Sequence, residues 1–503
     1  MNKQFDWIDK WAQYQPDATA ITVFETGCSY TWKQLNALGN FIAAQLTNDL
    51  GLKIGDRIVV LAENCIEYIV LFSVCQKTGI VLVALNYRLT GPEIDFLIGD
   101  CNPALIFVEE KFNEKIQNSY HYHQCTHKLP LSYLGLMVES FHQSGESFDY
   151  QNIGFTEEQA LFLIYTSGTT AFPKGSVYTH KMLFWNSINT ELRLDITSKD
   201  KSINCAPPFH TGSWNVLETP FLHHGAHTLI MKSFDPDVVL QALEDEEISI
   251  FWAVPTMLKM MVDSPVFDKV KLQNLRYIIV GGEAMPIPLI EKWHEKGILI
   301  RQGYGLTEVG PNVTSLNHQD AIRKQGSIGT PNFYYETNIV DEQGKTVGVD
   351  EVGEFLLKGP NVTPGYWNNA KATSETIVDG WFHTGDLVRC DAEGYIYVVD
   401  RLKNMYISGA ENVYPAEVEF LLRKHPAIDA VAIIGVPDEK WGEAGKAFIV
   451  LKKGVELTEM ELKNYCADKL AKYKIPRHIC FLTEIPKNDA GKIDRKKLKE
   501  MKS

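Results

Sequence analysis

Short apolar runs alternate with segments of helical period along much of the chain. Arg57-Ile-Val-Val-Leu61, Gly79-Ile-Val-Leu-Val-Ala84, Ala104-Leu-Ile-Phe-Val108 and Leu161-Phe-Leu-Ile-Tyr165 have strand length and no alternating polar face, the pattern of strands covered on both sides. Between them lie helix-length stretches. One opens at Thr31-Trp-Lys-Gln34, which has capping-box spacing, and continues through Leu35, Leu38, Ile42 and Leu46 at helical intervals. Strands separated by such segments predict βαβ units and largely parallel sheets. Ile248-Ser-Ile-Phe-Trp-Ala-Val254 and Arg276-Tyr-Ile-Ile-Val280 extend the series. The pattern then changes: runs at Thr337–Asp341 and Gly353–Lys358, with Gly344 in the turn between them, predict an antiparallel region.

A strand ending at Val399 is followed by the polar segment Asp400-Arg-Leu-Lys403. Beyond it, Pro415 suits the first turn of a helix continuing through Leu422, Ala430–Ile434 and Lys446–Leu451 read as strands, and Thr458 with Glu461 forms a second capping box. The expected fold class is therefore α/β. A large N-terminal domain of stacked, mostly parallel sheets covered by helices fills residues 1–399, and a small α+β domain fills 400–503. Residues 111–155, with three histidines and a cysteine between His121 and His127, are too loosely spaced for a metal site and read as a solvated connecting segment.

At 503 residues the chain exceeds a single core and suits this two-part plan. Its net charge of −14 argues against broad nucleic-acid binding, because phosphate attracts the opposite sign. Nine scattered cysteines without a Cys-x-x-Cys pair fit a reducing compartment. No apolar run reaches membrane-spanning length, the start lacks a secretory core, and the end is not a peroxisomal tripeptide, so the expected location is cytoplasmic.

Candidate chemistry gathers where apolar runs end. Leu161–Tyr165 leads into Thr166-Ser-Gly-Thr-Thr-Ala-Phe-Pro-Lys-Gly175. Glycines there turn N–H groups toward an anion, Thr166, Ser167, Thr169 and Thr170 supply hydroxyls, and Lys174 supplies a cation. The alternative is an ordinary polar loop. It is not a Walker A loop, since Gly175 stands where a magnesium-holding hydroxyl is expected. Gly281-Gly-Glu-Ala284 follows a strand and suits either close approach of a flat ring or a plain turn. In Gln302-Gly-Tyr-Gly-Leu-Thr-Glu308, Tyr304 can stack, Thr307 can donate to phosphate and Glu308 can hold Mg²⁺. In Gly380-Trp-Phe-His-Thr-Gly-Asp386, the acceptor-only Asp386 suits two ribose hydroxyls.

Taken in order, these motifs, the hinge-like Asp400–Pro415 stretch and Pro486-Lys-Asn-Asp-Ala-Gly-Lys-Ile-Asp-Arg495 resemble the adenylate-forming superfamily over nearly the whole chain, and its acyl-CoA synthetase branch in particular. Phe209 and His210 occupy the stretch where peptide-synthetase relatives carry an amine-pairing aspartate, which argues against an amino-acid substrate. Ala171 and Ala410 depart from the glycines usual in the family.

The resemblance implies a barrel-like subdomain in the antiparallel region and a mobile C-terminal domain pivoting at Asp400. It implies an ATP site of Thr166, Ser167, Gly168, Thr169, Thr170, Lys174, Gly282, Glu283, Ala284, Tyr304, Gly305, Thr307, Asp386, Arg401 and Lys492, with Glu308 and Thr166 on Mg²⁺. It implies an acyl pocket of His210, Trp214, Val280, Gly281 and Gly305, and coenzyme A contacts at Ser408, Gly409, Ala410, Trp441, Tyr473 and Lys474. Lys492, Glu308, Thr166 and His210 are the expected catalytic set. The implied activity makes acyl-AMP and pyrophosphate from a carboxylic acid and ATP, then passes the acyl group to coenzyme A. A medium- or long-chain fatty acid is the expected substrate, suggested by Leu85–Ile94 and an apolar wall at Trp214, and an aryl acid is the alternative. A luciferase-like oxygenase and an inactive nucleotide binder remain as other classes, and a homodimer stays open.

Overall fold

The structure, a computed structural model, describes residues 5–166, 173–408, 411–438, 441–467, 469–470, 472–488 and 491–501. Contacts group the chain into two compact units: residues 1–337 with 357–382, and residues 338–356 with 383–503. The contact boundary does not fall at Asp400, because 338–356 and 383–399 group with the C-terminal residues.

The first unit is built on the parallel strands that the apolar runs predict. A six-stranded sheet runs in the order His127–Pro130, Leu105–Val108, Arg57–Leu61, Val81–Ala84, Ala160–Thr166 and Lys174–Thr179. Its pairings are parallel up to Ala160–Thr166, and the last pair is an antiparallel hairpin in which Thr166 faces Lys174. A second sheet aligns Ile250–Ala253, Tyr277–Val280 and Leu299–Leu306 in parallel, so Ala253, Val280 and Gln302 end level, and continues antiparallel into Gly310–Ser315 and Thr330–Pro331. A third sheet joins Cys28–Thr31, Thr19–Val23, His227–Ile230 and Lys201–Asn204.

Helices cover these sheets where capping residues and apolar periods agree. Thr31 and Gln34 form the expected capping box at the start of Trp32–Ala44. A second box, Thr90 with Glu93, opens Gly91–Cys101. Helix Ile66–Thr78 is apolar almost all round and buried on nearly every residue, which fits a helix packed on several sides. One core unites Trp32, Phe72, Phe107, Phe162, Tyr178 and Trp214, and another lies under the second sheet around Phe251, Ile278, Trp293 and Ile300.

The segment 111–155 departs from its reading as a solvated connection. It forms the edge strand His127–Pro130, parallel to Leu105–Val108, and the helix Leu131–Ser144, which buries Leu131, Leu134, Val138 and Phe141. An edge strand paired on one side needs little apolar character, so His-Lys-Leu-Pro carries no strand signature of its own.

In the second unit, Ile428–Asp438 and Gly442–Leu451 form a long antiparallel pair flanked by Tyr406–Ser408 with Glu411–Val413 on one side and His478–Phe481 on the other. Pro415 starts helix Pro415–Arg423. The Asp400 carboxylate, 6% exposed, accepts from the N–H groups of Ala416 at 2.8 Å and Arg401 at 2.6 Å and from Asn404 Nδ2 at 3.2 Å. It thus caps the first turn of that helix and fixes the segment preceding it. Gly344 takes a positive φ in the tight turn bridging Val340 and Thr346.

Candidate active site

In the first unit the hairpin register sets Thr166 opposite Lys174 at the ends of their strands. Asp100 secures this end of the sheet: its Oδ2 accepts from the Tyr165 hydroxyl at 2.6 Å and its backbone carbonyl from Trp367 Nε1 at 3.1 Å. Residues 365–367 then lace onto the second hairpin strand, Val177 N–H to the Gly365 carbonyl at 3.1 Å and Trp367 N–H to the Gly175 carbonyl at 2.7 Å. Gly365 has φ +144°, and a Cβ there would come within 2.6 Å of Thr373, so both backbone and space call for glycine.

This lacing delivers Tyr366 to Glu308. The Tyr366 hydroxyl donates to Glu308 Oε1 at 2.9 Å, and Thr166 Oγ1 lies 3.4 Å from the same oxygen. Glu308 is 9% exposed on the short turn Thr307–Val309 after strand Leu299–Leu306, and its carbonyl accepts from Thr363 N–H at 2.7 Å. Lys174 Nζ stands 5.2 Å from the centre of the Tyr366 ring, within cation–π range. Burial, reinforced by the neighbouring Glu308, pushes the Tyr366 hydroxyl well above its ordinary pKa, so it remains a donor at neutral pH. The result is a carboxylate, a hydroxyl and a cation on three different elements. The oxygen donors of Glu308 and Thr166 suit a hard divalent ion such as Mg²⁺, and Lys174 suits phosphate.

The remaining predicted residues of this unit fall around the strand ends. Tyr304 is half-buried and pairs with Thr314, and Thr307 is half-buried beside Glu308. A Cβ on Gly305 would lie 2.3 Å from the Pro311 backbone, so the close strand approach there requires glycine. Val280 is buried at its strand end, Gly281 is half-buried, and Gly282, Glu283 and Ala284 are exposed, with Gly282 at φ +87°. His210 is half-buried at the start of the short helix Thr211–Asn215, its ring 4.5 Å from that of Phe209. Phe209 in turn meets Tyr87 edge-on at 5.1 Å and Arg88 at 5.7 Å, so the Leu85–Ile94 stretch contributes to this neighbourhood.

Trp214 differs from its expected place on the acyl wall. It is 3% exposed, packs against Phe162 at 5.0 Å, Phe72 at 6.0 Å and Tyr68 at 6.1 Å, and donates from Nε1 to the Pro208 carbonyl at 2.8 Å. An indole at helical spacing from other apolar residues serves the core as readily as a pocket, and here three aromatic neighbours claim it.

In the second unit Asp386 is 2% exposed, and Arg401 Nε pairs with its Oδ1 at 2.7 Å across the strand register that sets the two residues opposite each other. Lys403, although exposed, is held below the ordinary lysine pKa by partial desolvation and by the charges of Arg401, Arg495 and Lys492, against the pull of Asp386. Those cations therefore share one neighbourhood in this unit. Lys492 itself is exposed on a tight loop closed by the bridge Lys487–Ile493 and by Asn488, whose Oδ1 accepts from Lys492 N–H at 3.0 Å. Arg495 is anchored by Glu419 at 2.6 Å. Among the expected coenzyme A contacts, Ser408 is buried, Trp441 N–H donates to Asp438 at 3.0 Å, and Lys474 Nζ is engaged by both Glu417 oxygens at 2.7 and 2.8 Å beside Tyr473. Ser167, Gly168, Thr169, Thr170, Ala171, Gly409 and Ala410 lie outside the described residues.

Sequence reasoning missed Tyr366, Lys403 and Arg495 as site residues. The signal for Tyr366 is Gly365-Tyr366-Trp367 itself, a glycine followed by two large aromatics in an otherwise polar stretch.

Two family models match the chain. Residues 8–367 match the family model described as AMP-binding enzyme, and residues 417–492 match that of the AMP-binding enzyme C-terminal domain. The chain is 34% identical over 490 residues to a feruloyl-CoA synthase of an Amycolatopsis species, covering 97% of this chain and 96% of that protein. Its fold superposes on the o-succinylbenzoate CoA synthetase of Bacillus subtilis in complex with its acyl-adenylate intermediate, with TM-score 0.87, 30% identity and coverage of 99% and 98%. That enzyme has also been solved with ATP and a magnesium ion. The Mycobacterium tuberculosis fatty acyl CoA synthetase superposes with TM-score 0.80, 32% identity and 99% coverage of both chains.

Proposed function

The chain belongs to the AMP-binding enzyme family, and from that premise we propose that it is an ATP-dependent ligase joining an aromatic carboxylic acid to coenzyme A through an acyl-adenylate. The observation that carries the reading is the convergence of the Thr166 and Tyr366 hydroxyls on the Glu308 carboxylate, with Lys174 over the Tyr366 ring.

In the first step a carboxylate oxygen of the acid attacks the α-phosphorus of ATP. The bond to the β-phosphate breaks, and pyrophosphate leaves with the electron pair. Lys174 and the hydroxyls of Thr166 and Thr307 hold phosphate oxygens and hold off their mutual repulsion. Glu308 and Thr166 would hold Mg²⁺, which supplies Lewis-acid charge to those oxygens. Tyr366 keeps the Glu308 carboxylate in one orientation. His210 faces the acid's carboxylate, Gly281–Gly282 and Tyr304 receive the adenine, and Asp386 with Arg401 takes the ribose. Lys492 supplies a cation to the charge that develops between attacking carboxylate and α-phosphate. No covalent enzyme intermediate is required, because the work is orientation and charge neutralisation.

In the second step the coenzyme A sulfur, having lost its proton, attacks the acyl carbon, and AMP departs. Ser408, Gly409, Ala410, Trp441, Tyr473 and Lys474 are assigned to the thiol substrate, with the change between steps pivoting at Asp400. Lys474 must leave Glu417 to reach a phosphate. A conformational step of this kind commonly limits turnover.

Of the two acid classes open from sequence, the aromatic one is favoured over the fatty one. The relative named for feruloyl-CoA synthesis supports it. Release of pyrophosphate from Mg-ATP, measured across aliphatic and aromatic acids with and without coenzyme A, tests the proposal. Acid-dependent release with aromatic acids and AMP formation dependent on coenzyme A are expected, and a preference for palmitate over every aromatic acid would overturn the substrate class.

A further inference from the structure

Asn312 is buried in the middle of strand Gly310–Ser315, a setting that suits asparagine poorly, and the mechanism above does not use it. The strand leaves the Thr307–Val309 turn, so Asn312 follows Glu308 closely in the chain. Antiparallel register with Leu299–Leu306 sets Thr314 opposite Tyr304 and Gly310 opposite Leu306, and the Asn312 carbonyl accepts from Asn332 Nδ2 at 2.8 Å. The backbone of Asn312 is thereby fixed to the strand that carries Tyr304.

Its side chain reaches a different part of the site. Asn312 Nδ2 donates to the Asn215 carbonyl at 3.2 Å, to the Val216 carbonyl at 3.3 Å and to Thr190 Oγ1 at 2.6 Å. Asn215 ends the short helix Thr211–Asn215, which His210 immediately precedes and Val216 follows. A helix of 5 residues has too few internal hydrogen bonds to hold itself, and the last carbonyls of any helix lack partners within it. Asn312 supplies such a partner, together with Asn186 Nδ2, which donates to the Asn215 carbonyl at 2.7 Å. At the other end of the helix, Ser213 N–H donates to the His210 carbonyl at 3.1 Å. A shift of the Asn215 end is therefore passed on to His210.

We propose that Asn312 is a positioning residue for adenylation. Through the Asn215 and Val216 carbonyls it fixes the helix behind His210 relative to the strand that follows Glu308. That sets the acid's carboxylate against the phosphates held at Glu308. The inference rests on the proposed function, since it takes His210 to face the acid. An attacking oxygen displaced by about 1 Å from its near-attack position loses about 100-fold in rate, while groups bound elsewhere keep their affinity. Thr166, Lys174, Glu308 and Tyr366 meet without help from Asn312, so ATP and Mg²⁺ should be held as before. The amide itself is required, because both targets are carbonyls and an aspartate of the same shape would bring them only acceptors.

The test is pyrophosphate release by the full-length enzyme from Mg-ATP and the acid it uses best, for Asn312→Ala, Asn312→Asp, His210→Ala and the double variants at both positions. Asn312→Ala and Asn312→Asp are each expected to lower kcat/KM for the acid about 30-fold or more. KM for ATP and the Mg²⁺ concentration for half-maximal rate should stay within about twofold of the wild type. Each double variant should be within about threefold of His210→Ala alone, because Asn312 acts through His210. Losses that multiply in the double variants, or a matching rise in KM for ATP, make Asn312 a general structural residue and overturn the inference. Full use of the acid by Asn312→Ala, or by His210→Ala, overturns it too, with the proposed function intact. Should the alanine variant fail to fold, the near-isosteric Asn312→Asp and its double variant decide the matter in the same way. Silence of the wild type with every acid overturns the proposed function and the inference together.

Discussion

Glu308 and Glu218 lie in the same unit at similar burial, 9% and 2% exposed, and their neighbours treat them in opposite ways. Glu308 has hydroxyls on one oxygen, from Tyr366 at 2.9 Å and Thr166 at 3.4 Å, with Lys174 packed on the Tyr366 ring. Glu218 has one amide on one oxygen and nothing on the other. Hydroxyl donors fix the direction of a carboxylate. A buried carboxylate with few donors is pushed toward its protonated form, as burial does to Glu218. Burial alone therefore does not identify a functional acid.

The comparison breaks most visibly at Glu308. Glu308→Ala is expected to lower acyl-AMP formation about 1000-fold, or about 4 kcal/mol of transition-state stabilisation, and raised Mg²⁺ should not restore it. Normal adenylation by this variant would remove Glu308 from the reaction.

Glu218 should show itself in stability. Its carboxyl is raised from the ordinary 4.5 to about 7, so the folded protein binds this proton more tightly than the unfolded chain does. Stability from this group is complete below pH 4.5 and is lost as pH rises through 7, by about 3 kcal/mol in total. Glu218→Gln removes the titration. Denaturant unfolding from pH 5 to 8 should show the wild type losing ground to Glu218→Gln, and parallel curves would refute the assignment.

Lys492 supplies a contrast with both buried acids, because it is exposed. Lys492→Ala is expected to reduce adenylation 100-fold or more, leave thioester formation from supplied acyl-AMP nearly intact, and leave the unfolding midpoint unchanged. Equal loss in both half-reactions would refute its role.

Tyr366→Phe sharpens the picture with the smallest effect. Removing one hydroxyl from Glu308 should slow adenylation about 10-fold, raise the Mg²⁺ concentration needed for half-maximal rate, and cost about 1 kcal/mol of stability. A stability loss without any change in Mg²⁺ dependence would make Tyr366 purely structural.

Much of the architecture could be read locally. The strands Arg57–Leu61 and Gly353–Lys358 appear as expected, as do the capping box at Thr31 and the helix opened by Pro415. These depend on neighbours a few positions away, which a sequence displays directly. The edge strand His127–Pro130 did not, because pairing to Leu105–Val108 defines it and its composition does not. The packing of Trp214 was not legible for a related reason: an aromatic residue near a functional motif looks the same whether it faces a pocket or Phe72 and Phe162.

The chain by itself determined the two-part α/β plan, the inventory of hydroxyls, carboxylates and cations, and their order, which sufficed to identify the resemblance to adenylate-forming enzymes. Only the tertiary structure decided which groups meet. Thr166 reaches Glu308 across 142 positions and Tyr366 reaches it across 58, through sheet register and the lacing of 365–367 onto the hairpin. It also decided that Glu218 is buried with one oxygen unsatisfied. Local patterning encodes which face of an element is apolar, whereas hydrogen bonds between distant side chains depend on how the elements are packed, and no short stretch of sequence carries that information.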